Sequence, residues 1–339
     1  MSNRLTIAVD VMGGDFGPRI TLPAIARFLS ADPHIHLHLM GDPEVVAPFL
    51  SSLGQDQCRC ALVACSQQVG MEEKPSSALR NKQDSSLYRM LESVAAVQAD
   101  VALSAGNTGA LMAMAWKVLG MLEGVERPAI ATAIPTRYGH SYLLDVGANL
   151  EAGAAQLVQF AQLGAALAMA LDELSRPRVA LLNVGVEHTK GIARIQEAAR
   201  VLEALSAIEF RGYVEGNTLF SGSVDVIVCD GFSGNVALKT GEGVARLLLG
   251  SLKEYLQSRW HTRVLAAALR PALRSWARRF EPGVRNGAML LGLRGGVIKS
   301  HGGADEDAFL AALHYAAQVA RHRVPQRLAQ SLAKIQAQA

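Results

Sequence analysis

Much of what would mark a common kind of protein is missing from this chain. Its four cysteines, Cys58, Cys60, Cys65 and Cys229, show neither C-x-x-C spacing nor a paired framework, and they read as reduced cytosolic thiols. No apolar run reaches about 18 residues, so no membrane span is expected. The N-terminus enters a strand directly, without the basic and then apolar pattern of a signal peptide. A cytoplasmic location follows as the expectation. The net charge of +3 is too small to imply nucleic acid. There is no G-x-G-x-x-G after the first strand, no G-x-x-x-x-G-K-[ST] and no H-E-x-x-H, so neither a standard dinucleotide fold nor a P-loop is supported. GFSG at 231–234 falls short of a nucleophile elbow, because Asn235 stands where the second glycine belongs.

What is present is glycine at strand ends. The chain has 31 glycines against 12 prolines, and half of its 339 residues are hydrophobic. That length exceeds one ordinary core and predicts two lobes. The stretch VDVIVCDGFSGNVALKT at 224–240 carries the pattern most fully. A β-branched run stops at Asp230-Gly231, and after a four-residue turn a helical pattern begins near Asn235. An anion at that turn would meet free backbone amides and the positive end of a helix dipole, with Lys239 one turn further on. Four other apolar runs end in the same grammar: IAVDVMGGD at 7–15, VALSAGNT at 101–108, LLDVGAN at 143–149 and VALLNVG at 179–185. Polar strand ends mark the ligand crevice of an open α/β sheet, and these turns are expected to converge on one site.

The strands expected at 5–11, 101–105, 129–134, 141–146, 178–184, 286–291 and 296–299 alternate with helices at 21–30, 86–99, 106–119, 156–174, 192–205 and 306–321. Such alternation gives βα units and a largely parallel sheet. Residues 34–39 alternate histidine with Ile35, Leu37 and Leu39, so the histidines share one strand face. Two of them could share a metal, but no acidic or cysteine partner lies nearby and no metal is expected. Residues 72–86 read as a polar surface loop with Lys74, Arg80 and Lys82, either clamping an anion or simply solvated.

From 243 to 281 the texture changes. Residues 246–279 hold eight basic side chains, Arg270, Arg274 and Arg278 among them, against one acid, Glu254. Leu265, Leu269, Leu273, Trp276 and Phe280 fall at helical spacing, with Pro271 restarting the helix. Such a basic amphipathic pair fits an anionic membrane surface, or else packs on its own chain or a partner. Three segments follow: an α/β core at 1–242, the basic helical segment at 243–281, and a return to the core at 282–339.

A site rich in backbone amides, Asn, Asp and Lys suits phosphate binding and oxyanion stabilisation, hence acyl or phosphoryl transfer. The blocks AVDVMGGD at 8–15, SAGNTGAL at 104–111, RPA at 127–129, LDVGAN at 144–149, DGFSGNVALKT at 230–240 and VIKSHG at 297–302 resemble those of the bacterial phosphate acyltransferase family (PlsX), in order along nearly the whole chain. The resemblance implies transfer of an acyl group from acyl-acyl-carrier protein to inorganic phosphate, feeding glycerol-phosphate acylation, with no cofactor. It also implies a three-layer α/β/α homodimer on a long mixed sheet like that of isocitrate and isopropylmalate dehydrogenases, loosely associated with the inner face of the membrane. Ser233 stands where that family often has threonine, which argues against a serine nucleophile.

On this reading Gly13, Gly14, Asn107 and Thr108 cradle phosphate through their amides, and Lys190 and Lys239 supply charge. Asn235 is the oxyanion donor, a group worth about 3 kcal/mol, and His301 is the proton shuttle. Asp10, Asp15, Asp145 and Asp230 brace the loops, and Ser104, Gly106, Asn149, Asn183 and Gly231 complete the substrate-binding set. A phosphotransacetylase using acyl-CoA and a non-catalytic membrane-docked scaffold are the alternatives.

Overall fold

A computed structural model describes residues 5–278 and 286–338. From the N-terminus the elements are β1 (Leu5–Asp10), α1 (Pro18–Ala31), β2 (Ile35–Gly41), α2 (Pro43–Ser52), β3 (Cys60–Ala64), α3 (Pro75–Asn81), α4 (Ser86–Ala95), β4 (Val101–Ser104), α5 (Thr108–Leu119), β5 (Ala129–Thr136) and β6 (Gly139–Leu144). They continue as α6 (Ala154–Leu171), β7 (Arg178–Leu182), α7 (Ala193–Glu203), β8 (Glu209–Val214), β9 (Val226–Val228), α8 (Gly231–Ser258), α9 (Trp260–Ala268), α10 (Arg270–Arg278), β10 (Ala288–Leu291), β11 (Gly296–Lys299), α11 (Glu306–Arg321) and α12 (Val324–Gln336).

The eleven strands among the described residues join one sheet in the order β3-β2-β1-β4-β11-β10-β5-β6-β9-β7-β8. At its centre β10 runs antiparallel to both β11 and β5, and β5 antiparallel to β6, while every other pairing is parallel. The sheet is therefore mixed rather than largely parallel. Local alternation of strands and helices says nothing about where the chain re-enters the sheet, and two re-entries reverse direction. The order reads alike from both ends with direction inverted: β10 answers β5, β11 answers β6, β4 answers β9 and β1 answers β7. The sheet thus has two halves, or lobes, that meet at the β10–β5 seam and share one buried cluster, which holds Ile7 together with Phe160 and Val179.

Alternate strand residues feed different cores. Ile7 and Val9 belong to one buried cluster and Ala8 and Ala102 to another, one on each face of the sheet, which makes three layers. In β2 the aliphatics Ile35, Leu37 and Leu39 are fully buried, while His36 and His38 are half-buried on the opposite face. No group of three metal-ligating side chains lies close enough to hold an ion among the described residues.

Several expectations change. Residues 72–86 contain α3, started by Pro75 at its first position, where the missing N–H costs nothing. α6 is long and apolar enough to cross a membrane, against the expectation that no such run exists. Its eleven buried residues, Phe160 and Leu163 among them, make it instead a core helix. Gly164 permits its close approach to the sheet, since a Cβ there would lie 2.5 Å from Val226 Cγ1. α8 begins at Gly231 and continues unbroken past residue 243.

Candidate active site

In the first lobe three strand-end turns interlock. After β1, Gly13 packs so tightly that a Cβ would lie 2.4 Å from Asp10 Oδ2 and 2.8 Å from the Gly106 amide. The Asp15 amide donates to Gly302 O at 2.9 Å, and the Ser300 amide to Ser104 O at 2.9 Å. Asp10 is fully buried; Ser104 Oγ donates to its Oδ2 at 2.7 Å and accepts from the Gly106 amide at 2.9 Å. Burial raises the Asp10 pKa, against the lowering effect of hydrogen bonds from Ser86 and Ser104. Its Oδ1 has no partner of good geometry.

Asn107 caps α5, its Oδ1 accepting from the Ala110 amide at 3.1 Å. Its Nδ2 donates to Gly70 O, Met71 O and Glu73 O at 3.2, 2.9 and 2.9 Å, fastening the 70–73 loop over the turn. The side chain is thereby committed, but the Thr108 and Gly109 amides that open α5 make no hydrogen bond within the described chain. Lys299, the last residue of β11 and only 8% exposed, reaches the turn that precedes them. Its Nζ donates to Ala105 O at 3.1 Å and to Ser300 O. Burial brings its pKa down to about 8, with Asp10 and Asp15 opposing and Lys239 assisting.

The second lobe is built differently. Asp145, fully buried, accepts from the amides of Ile130, Gly147, Ala148 and Asn149 at 3.0, 3.2, 3.0 and 2.6 Å, and from Asn149 Nδ2 at 3.0 Å. Its pKa is raised by burial, which outweighs those bonds. Asp230 caps α8 through the Ser233 amide at 2.8 Å and pairs with Arg194 at 2.9 Å. The Gly231, Phe232 and Gly234 amides donate to Asn149 O, Leu150 O and Asp230 O. The free amides expected at this turn are therefore absent: α8 starts at Gly231, not near Asn235, and its own cap and the β6–α6 loop consume all of them.

The structure brings Asp10, Gly13, Gly14, Asp15, Ser104, Gly106, Asn107, Thr108 and His301 into one cluster, and Asp145, Asn149, Asp230 and Gly231 into another. α8 connects the two. Asn235 is exposed, its side chain forms no hydrogen bond among the described residues, and its Cβ lies 4.0 Å from the Cβ position of Gly147. Lys239, one turn on, pairs with Glu242 at 3.0 Å, which partly spends the charge assigned to it. It still acts across the cleft: the His301 pKa is lowered first by burial and then by Lys239, with Lys299 adding to it and Glu242 and Asp15 opposing. Asn183 donates to Gly185 O and Lys190 O at 3.1 and 3.2 Å, while its Oδ1 is buried without a partner. The Lys190 side chain is exposed and makes no ion pair among the described residues. Trp276 is half-exposed and Arg270 exposed; Phe280 and the side chains of Arg274 and Arg278 lie outside what is described.

Lys299 and Arg194 were not among the sequence candidates. Lys299 ends an otherwise apolar strand, GVIK, and a lone cation in such a strand is the one signal by which the sequence offered it.

Residues 5–327 match the model of the family described as "Fatty acid synthesis protein". The chain belongs to that family. It is 45% identical over 333 residues to the phosphate acyltransferase of Shewanella amazonensis, spanning 98% of this chain and 97% of that one. It is 46% identical over 333 residues to the phosphate acyltransferase of Saccharophagus degradans, with the same coverage. The fold is similar to a phosphotransacetylase from Streptococcus pyogenes, with a TM-score of 0.64 at 15% identity and 94% of each chain covered. It is also similar to a 4-hydroxythreonine-4-phosphate dehydrogenase from Klebsiella pneumoniae, with a TM-score of 0.54 at 12% identity, covering 94% of this chain and 98% of that one. This likeness matches the mixed-sheet architecture that the sequence blocks imply.

Proposed function

We infer that this chain is a phosphate acyltransferase that moves a fatty acyl group from acyl-acyl-carrier protein to inorganic phosphate. One observation carries the activity: nearly the whole chain aligns with curated phosphate acyltransferases at 45–46% identity. The site geometry is compatible with it. A phosphate oxygen attacks the thioester carbonyl, the C–O bond forms, the C–S bond breaks, and the thiolate takes up a proton. Phosphate is mostly dianionic at neutral pH if its second pKa is near about 6, as in phosphomonoesters, and so needs little help from a base. The thiol leaving group, with a pKa of about 8.5, needs little help from an acid. What remains for the protein is to hold the dianion, stabilise the oxyanion and exclude water.

In this reading the open amides at the start of α5, with Gly13 and Gly14, hold phosphate. The unengaged Asn235 side-chain amide is supported as oxyanion donor by its exposed position on α8 near Gly147. His301, its pKa lowered, is neutral and able to take the proton that the attacking hydrogen phosphate sheds and hand it to the leaving thiolate. Lys190 fits as a charge that swings in with substrate rather than one already in place. The carrier protein is acidic in this reading and docks near the basic α9–α10 segment. A homodimer, and delivery of the short-lived acyl phosphate to a glycerol-phosphate acyltransferase at an anionic membrane on the cytoplasmic side, complete the proposal.

The test is mass detection of acyl phosphate from purified protein, phosphate and palmitoyl-carrier protein without added metal, with palmitoyl-CoA in parallel. Acyl phosphate from the carrier-protein substrate is expected. Product from palmitoyl-CoA alone would establish the phosphotransacetylase alternative, and no product from either would leave a scaffold.

A further inference from the structure

We propose that Lys299 is the buried cation of the phosphate subsite, and that an oxyanion seated at the first turn of α5 takes its third N–H. The proposal rests on the phosphate acyltransferase reading and adds a binding residue to that site. An ammonium has three N–H groups, and Lys299 spends two of them on the carbonyls of Ala105 and Ser300. Among the described residues no carboxylate lies within ion-pairing distance of its Nζ. The nearby Asp10 commits one oxygen to Ser104 and leaves the other buried without a well-aligned partner. Asp10 and Asp15 favour the charge without pairing directly with it, and a buried ammonium whose direct partners are backbone carbonyls has room for a closer counter-ion.

The site for that counter-ion adjoins it. Ala105 lies three residues before Thr108, whose amide, with that of Gly109, opens α5 without an internal partner. Helix dipole, free amides and ammonium thus add their fields at one place. The start of α8, sealed by Asp230 and by Asn149 O, offers no such free amides. Lys299 has a second effect: by tying Ala105 to Ser300 it holds the β4–α5 turn against the loop that carries His301. The charged groups facing it are Asp10 and Asp15 from β1 and the turn after it, Lys239 from α8, and His301 from its own loop. Burial brings the ammonium pKa down to about 8. Phosphate binding stabilises the protonated form, so affinity must fall as pH rises through that value.

Titration calorimetry with inorganic phosphate on the full-length protein tests this, in the range where phosphate is already dianionic. The wild-type Kd is expected to weaken about tenfold per pH unit above about pH 8, one proton being linked. Lys299→Met is expected to bind phosphate at least tenfold more weakly with no such slope, raising KM for phosphate and leaving KM for the acyl donor unchanged. Lys299→Arg is expected to keep binding and lose the slope, because a guanidinium does not titrate there. A folded Lys299→Met protein that binds phosphate like the wild type overturns the proposal, as does a wild-type Kd that stays flat across this range. That second arm needs no variant, so a Met variant that fails to fold leaves the question decidable. Normal acyl phosphate production with an unchanged phosphate KM in the variant removes only Lys299; absence of acyl phosphate from the wild type removes the functional reading itself.

Discussion

His301 shows how a single side chain is set by its neighbours. Its ring is open to solvent on one side, yet partial burial and the ammoniums of Lys239 and Lys299 all disfavour the imidazolium. A lowered pKa keeps the ring neutral at neutral pH, and protonation begins only at more acidic pH than for a free histidine. If the neutral ring is the working form, the acidic limb of kcat/KM falls below pH 6.5 and disappears in His301→Gln. A pH–rate profile of the two proteins checks this; the same limb in both would exclude His301 as its source. Side chains of this kind were partly legible in the sequence. His301 between a strand end and two glycines stood out, whereas Lys299 passed as the last letter of an apolar strand. Depth of burial, which makes that lysine unusual, depends on β4 and β10 lying on either side of it, and neither is near it in sequence.

At the scale of elements, α8 matters most, because it leaves the second lobe at Asp230 and brings Lys239 toward the first. Its placement depends on Gly234, where a Cβ would lie 2.0 Å from Asp145 O and 2.7 Å from Cys229 Sγ. Backbone cannot yield as a side-chain tip can, so Gly234→Ala must push the helix off the β6 turn. A loss of about 2–3 kcal/mol in chemical denaturation is expected, with activity lost alongside. Gly243, on the same helix, has open space around its Cβ position. Gly243→Ala should stabilise by about 0.5–1 kcal/mol with turnover retained. Equal effects at both positions would show that helix propensity, not the close approach, governs α8. The strand-turn-helix grammar around this helix was readable, but its starting point was not. Asp230 reads equally well as a loop brace or as an N-cap, and only the Ser233 amide on its carboxylate decides. The central antiparallel strands were hidden in the same way: the runs at β5 and β10 look like any other buried strand, and direction is set by partners far along the chain.

At the scale of the molecule, two lobes share one sheet while the consecutive helices α8, α9 and α10 extend from it. Beyond Gly234 no residue of α8 is buried, nor is any of α9, and Leu247, Trp260, Val264 and Leu265 all face outward. None of the described residues covers this stripe, and it is the surface that the proposed membrane or carrier-protein contact would use. Replacing Leu265 and Trp276 with serine is expected to cut co-flotation with anionic vesicles at least fivefold while sparing turnover of soluble substrate; undiminished flotation would reject the membrane role. The sheet order has one more consequence, for the order of events during synthesis. β11 is inserted between β4 and β10, so β4 has a bare hydrogen-bonding edge until residues 296–299 have left the ribosome. Neither half can mature alone, and a stalled or clipped nascent chain would present that edge to its neighbours as a template for aggregation.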